Sequence, residues 1–136
     1  MAEFKLPKPL PSPSEDSKPF WDACQRQEFK IQKCDSCGHF RFPPSLLCPR
    51  CMSTDTEWTR VSGKARVFTW EVTHRPLYPA FDTPFNVAIV QLEEGPRLHT
   101  NIAGCRNEDL YVDMPVQVFF EKVEDQEWYM PKFKPA

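Results

Sequence analysis

The sequence predicts a mainly β protein in three parts: an N-terminal arm, helix and lead-in strand over residues 1–33, a metal-bound ribbon over 34–55 and a small barrel over 56–136. Three observations carry that expectation. Prolines at positions 7, 9, 11 and 13 block a helix at the start and favour an extended arm. Two Cys-x-x-Cys hooks, Cys34/Cys37 and Cys48/Cys51, flank the stretch Gly38 to Leu47. From Glu57 onward, segments rich in Val, Ile, Thr and aromatic residues alternate with turn signals.

The arm is expected either to be solvated or to lie on a partner. After it, Ser17 stands as an N-cap, Pro19 is tolerated in the first turn, and Glu15 and Asp16 sit near the positive end, so a helix is expected over about residues 18–27. Phe20, Cys24 and Gln27 share one narrow face of it, beside Trp21. Cys24 lies outside the hook pattern and reads as a small core residue. Glu28 to Lys33 alternates and reads as a strand leading into the first hook.

Two Cys-x-x-Cys pairs supply the four thiolates of a closed tetrahedral site. Zinc is the first expectation and iron the alternative, since four sulfurs hold either. No apolar stretch in Met1 to Ser14 resembles a secretion signal, and this points to a reducing, cytoplasmic setting where paired hooks bind metal rather than form disulfides. With every coordination position taken by cysteine there is none for a water, so the ion is expected to be structural. Gly38 follows the first hook with the freedom to turn at positive φ, whereas Met52 holds that place after the second. The aromatics of His39-Phe40-Arg41-Phe42 are expected to shield the metal, and His39 is not needed as a ligand.

The later strands are read over Lys64–His74, with Phe68, Trp70 and Val72 on one face, then over Phe85–Leu92, Leu98–Ala103, Pro115–Glu121 and Trp128–Met130. Five strands in this length, the first long and bent, suit a Greek-key barrel of the OB type. Arg75 to Pro84 is a long loop with three prolines and two aromatics, expected either to carry contacts or to cap the barrel end.

Charge is balanced along the chain, with six basic and five acidic side chains in residues 1–33 and four and seven in residues 105–136. That disfavours generic binding to a phosphate backbone. The apolar runs are too short to span a bilayer. Glu93, Glu94, Glu124 and Asp125 read as solvated turns, His74 and His99 have no triad partners in sight, and the four glycines form no phosphate-binding loop. No catalytic residue is expected in this chain.

A Pro-Phe-Trp helix, the ribbon Cys34-x-x-Cys37-Gly38, Pro43-Pro44 and Cys48-Pro49-x-Cys51, then Gly63, His74-Arg75-Pro76, Glu94-Gly95-Pro96, Met114-Pro115-Val116 and Pro131-x-Phe133 together resemble the zinc-ribbon/OB-fold family catalogued as domain of unknown function 35. The resemblance runs from about residue 14 to the C-terminus. It implies a rubredoxin-like zinc ribbon joined to an OB-fold, in a small subunit of a hetero-oligomer with a thiolase-like protein acting as thiolase, acyltransferase or retro-aldolase. The larger partner would carry the catalysis, and the small subunit would help form the site for a bulky aromatic or steroid-type acyl-CoA. Phe20, Trp21, His74, Arg75, Tyr78 and Phe81 are the expected contacts to partner or acyl-CoA. Many relatives carry glycine at the helix exit where this chain has Gln27. The competing expectations are a single-stranded nucleic-acid binder, with Phe68, Trp70 and Tyr129 stacking on bases, and electron transfer by iron.

Overall fold

A computed structural model of the protein describes residues 7–76, 78–124 and 126–136. The first six residues of the arm, Leu77 of the long loop and Asp125 of the acidic turn lie outside the described residues.

Pro7 to Ser14 runs without helix or strand, because each proline removes a backbone donor and fixes φ. Helix α1 spans Lys18–Gln25. Ser17 occupies the N-cap position but makes no capping bond; its hydroxyl instead accepts the Ser14 amide at 2.9 Å, a local side-chain bond that competes with the cap. The helix ends in a Schellman arrangement in which Gln27 N–H donates to the Cys24 carbonyl and Glu28 N–H to that of Ala23. Gln27 takes the left-handed position at φ 58°.

Two sheets follow. The first has the order β2-β1-β3, built from β1 Lys30–Cys34, β2 Phe40–Arg41 and β3 Thr56–Arg60. Both neighbours pair antiparallel with β1, Gln32 lying opposite Arg41 on one side and Trp58 on the other. The strand Thr56–Arg60 was not expected; its polar sequence gains strand character only by pairing with β1.

The second sheet has the order β6-β5-β4-β7-β8, from β4 Lys64–Thr73, β5 Phe85–Leu92, β6 Arg97–Thr100, β7 Pro115–Lys122 and β8 Tyr129–Pro135. A 3-10 turn at Asn107–Asp109 lies between β6 and β7. The sheet curls until its edges meet. Ile102 bridges to Phe133 in parallel, Ala103 N–H donates to the Phe133 carbonyl at 2.8 Å and Phe133 N–H to that of Asn101 at 3.2 Å. Five strands curled and joined in this order form the expected OB barrel.

The bend in β4 is a bulge: Val67 pairs with Val90 and Thr69 with Ile89, leaving Phe68 unpaired. The inserted residue breaks the expected alternation. Val67 is buried while Phe68 is exposed, beneath the Arg97 guanidinium at 3.9 Å. Phe68, Trp70 and Val72 therefore do not form one core face.

One apolar core joins the parts. Phe20, Cys24, Phe29 and Ile31 pack with Val67, Val90, Leu92, Val116 and Phe133, and the Phe29 and Phe133 rings meet edge-on at 6.1 Å. Gln25 fastens the helix to β8, donating to the Tyr129 carbonyl and accepting its amide. No helix among the described residues is long and apolar enough to cross a membrane.

Candidate metal centre and barrel mouth

The four hook sulfurs converge. Each hook is a tight turn closed by a backbone bond, Gly38 N–H to the Cys34 carbonyl and Met52 N–H to that of Cys48, both at 2.8 Å. The residue closing each turn is left-handed, Gly38 at φ 76° and Met52 at φ 65°. Cys34 leaves the end of β1, so the pairing of β1 with β3 fixes one hook. The other is fixed by Ser45, whose amide and carbonyl both bond the Gln32 side chain of β1.

Cys34 and Cys51 Sγ stand 3.5 Å apart and Cys37 and Cys48 Sγ 3.6 Å, with all four within 4.8 Å of one another. Sulfurs held about 2.3 Å from one ion at tetrahedral angles are separated by about 3.8 Å, so this donor set fits a four-coordinate metal. It does not fit disulfides, and all six cysteines are free. His39 stays outside the ligand set and gives its carbonyl to the Cys34 amide at 2.9 Å.

Local electrostatics favour the thiolate at Cys34 and Cys48 and oppose it at Cys51. The Cys37 amide, helped by the Cys51 sulfur and the Ser36 amide, holds the Cys34 thiol down to about 6 against burial. Burial pushes Cys48 up, but the amides of Cys51 and Arg50 outweigh it and leave that thiol below its ordinary value. Cys51 goes the other way: the Ser53 amide lowers it, but the neighbouring Cys34 sulfur and burial drive it up to about 12. Four sulfurs this close ionise together only around a cation. Cys24, by contrast, is pushed up to about 12 by burial in the core and is a packing residue.

The remaining candidates are split between interior and surface. Phe20 is 3% exposed, in edge-on contact with Trp21, Phe29 and Phe42, so it is part of the core rather than an outward contact. Phe42 thus ties ribbon to helix. Trp21 is half-buried against Trp128. His74 and Arg75 are exposed where β4 ends. Tyr78 and Phe81 are 43% and 37% exposed, their rings in tilted contact at 6.0 Å, with Phe85 continuing the row at 6.2 Å. Trp70 and Tyr129 are half-buried.

Phe81 lines a 480 Å³ cavity with Lys8, Phe85, Ile102, Met130 and Lys132. Its rim comes from the β4–β5 loop, the β7–β8 end of the barrel and the arm, which is held there by Gln126 donating to the Lys8 carbonyl at 2.9 Å. Its floor is fixed by Asn86, which bonds the Ile102 amide and carbonyl at 2.7 and 2.8 Å. The volume suits an organic ligand, and the mouth between these two loops is where OB barrels take ligands. The sequence reading missed Lys8, Asn86 and Lys132, because arm, loop and strand come together only in the fold. It also missed Arg41, although Arg41 is the one Lys, Arg, Asp or Glu between the hooks.

Residues 21–57 match the family described as the ChsH2 rubredoxin-like zinc ribbon domain, and residues 58–121 match the ChsH2 C-terminal OB-fold domain. A chain of the solved structure described as Ltp2-ChsH2(DUF35) aldolase superposes with a TM-score of 0.87 at 35% identity, covering 93% of this chain and 99% of that one. A DUF35 domain-containing scaffold protein of Methanocaldococcus jannaschii is 36% identical over 76% of this chain and 78% of its own length. A probable enoyl-CoA hydratase alpha subunit of Thermomonospora curvata is 35% identical over 97% of this chain, which spans 41% of that relative's length.

Proposed function

The chain belongs to the ChsH2 (DUF35) family of zinc ribbons joined to OB-folds, and on that premise we propose that it is a non-catalytic, zinc-containing subunit of a hetero-oligomer whose larger member is a thiolase-like enzyme. The observation that carries this is the likeness, over nearly the whole of both chains, to one chain of an Ltp2-ChsH2(DUF35) aldolase. One relative is described as a scaffold protein and another as a probable enoyl-CoA hydratase alpha subunit, and both descriptions support a part in a larger assembly. The ion, once bound, braces the ribbon and offers no open position for chemistry. Cys34, Cys37, Cys48 and Cys51 hold it.

The barrel mouth is the reading's acyl-CoA contact. Tyr78, Phe81 and Phe85 offer an aromatic row, and Lys8 brings a cation to a cavity wide enough for part of a bulky acyl group, where Lys132 is paired with Glu121 at 2.9 Å. His74 and Arg75 stand exposed at the start of the same loop, and Trp21 is half-buried on the helix; these three are proposed to face the partner. Reaction and water exclusion belong to the partner's site.

Coexpression with a thiolase-like protein from the same genome tests the reading. The two chains are expected to elute as one complex whose acyl-CoA turnover needs both, and a partner fully active by itself would end the proposal. Salt-dependent binding of this chain to a single-stranded oligonucleotide would favour the nucleic-acid alternative instead.

A further inference from the structure

Among the described residues, Arg41 is the only Lys, Arg, Asp, Glu or His that is buried, at 4% exposure. Its guanidinium donates from Nε to Ser45 Oγ at 3.1 Å and from Nη2 to the Ser45 carbonyl at 3.0 Å and Thr56 Oγ1 at 2.7 Å. Nη1 is buried with no hydrogen-bond partner. All these acceptors are neutral, and the nearby Asp35 and Asp55 are exposed. A charge hidden this way is costly unless opposite charge stands close by.

The topology supplies that charge. Thr56 pairs directly with Cys34 across the sheet, so the two side chains share a face. Ser45 leads through its hydroxyl bond to the Leu47 carbonyl into Cys48. Arg41 therefore bonds the cross-strand neighbour of Cys34 directly and reaches Leu47, the residue before Cys48, through the Ser45 hydroxyl. A divalent ion with four thiolates carries a net charge of about −2, since each thiolate contributes −1.

Resting on the metal reading above, we infer that Arg41 is the positioning and charge-balancing residue of the four-sulfur centre: it pins the second hook to β2 and β3 and offsets the negative charge of the metal–thiolate group. Ion release is then slow because opening the hooks would strand a buried cation.

The full-length, metal-loaded protein tests this through release of the ion to excess chelator, followed with a colorimetric indicator. Metal content is measured beforehand, and the cobalt(II)-substituted form gives the thiolate charge-transfer band. Partners that support metal ligands typically contribute about 10–100-fold to affinity. Arg41→Gln is expected to bind one ion and release it at least about tenfold faster with a shifted cobalt band, and Arg41→Lys to fall between it and the parent. Release from Arg41→Gln within about twofold of the parent overturns the inference. Should that variant fail to fold, Arg41→Lys and Thr56→Val decide, since each keeps the charge and loses part of the clamp: both are expected to bind one ion and release it faster than the parent, by less than about tenfold, and parental release from both overturns the inference. A parent protein that binds no ion would instead sink the metal reading itself.

Discussion

The ribbon and the barrel solve the same stability problem with different materials. Between Asp35 and Ser62 the only buried side chains are Arg41 and Cys48; no aliphatic or aromatic residue is sealed inside. The barrel buries Val67, Val90, Leu92, Val116 and Phe133 completely or nearly so. Burial of such side chains contributes roughly 1.5–3 kcal/mol each relative to exposure, and the ribbon has only a part of that term, from the half-buried Phe40, Phe42 and Trp58. Metal ligation must stand in for a core there, with polar clamps from Gln32, Arg41 and Thr56 tying the second hook to the sheet that carries the first. Where the parts meet, Phe20, Phe29 and Ile31 join the barrel core, so the lead-in strand belongs to both.

The sharpest way to break the comparison is to remove a ligand. A structural zinc typically contributes about 10–16 kcal/mol to the folding of a small domain. Cys48→Ser, or a strong chelator, is expected to lose much of that and to unfold residues 35–60 first, with protease cuts appearing there while the barrel still melts cooperatively. A metal-free variant of parental stability would show that the ribbon stands without its ion. The barrel's counterpart is Phe133→Ala, which empties a fully buried site at the seam where β8 meets Ile102. It is expected to cost about 3–5 kcal/mol with metal content unchanged, as read by chemical denaturation and elemental analysis.

What could be read in the sequence follows the same division. The hooks were legible because a metal turn is local, and two pairs at this spacing state their geometry outright. Strand β4 was legible from its composition, but its bulge was not, since alternation assumes an unbroken ladder and Phe68 drops out of it. Thr56–Arg60 is too polar to announce a strand, and its identity comes from β1, more than twenty residues away in sequence. Strand β8 was cut short at Met130 because Pro131 and Pro135 argue against a strand; on a barrel edge they are tolerated. Arg41 was passed over because its partners, Ser45 and Thr56, are brought to it only by folding. Phe20 was named as a contact through the family resemblance and not from its helix face, which Phe29 and Phe42 cover.

The joint between the two regions is Gly63, at φ 74°, directly before β4. Its carbonyl accepts the Val118 amide at 2.9 Å, and a Cβ there would overlap Val118 Cγ1. Gly63→Ala combines a left-handed alanine with overpacking, so it is expected to cost about 2–3 kcal/mol. Because the clash falls on β7, the loss should appear in barrel unfolding and not in metal retention. Loss of the ion at parental barrel stability would mean that the joint supports the ribbon instead.

The smallest expected effect has the opposite sign. Gln27 and Met52 both hold left-handed positions without being glycine, at φ 58° and 65°, yet they serve different regions. Gln27 closes the helix that packs on the barrel core, is exposed, and makes its two-bond helix exit entirely through backbone groups. Gln27→Gly keeps those bonds and removes the side-chain strain, so it is expected to stabilise the protein by about 0.5–1 kcal/mol, read as a shift in denaturation midpoint at unchanged slope. Met52 is 65% exposed in the turn of the second hook. In Met52→Gly the same relief is set by how tightly the ion already fixes that turn, so little gain in global stability is expected while the metal is bound. Equal gains from both substitutions would erase the distinction between a region held by packing and one held by ligation.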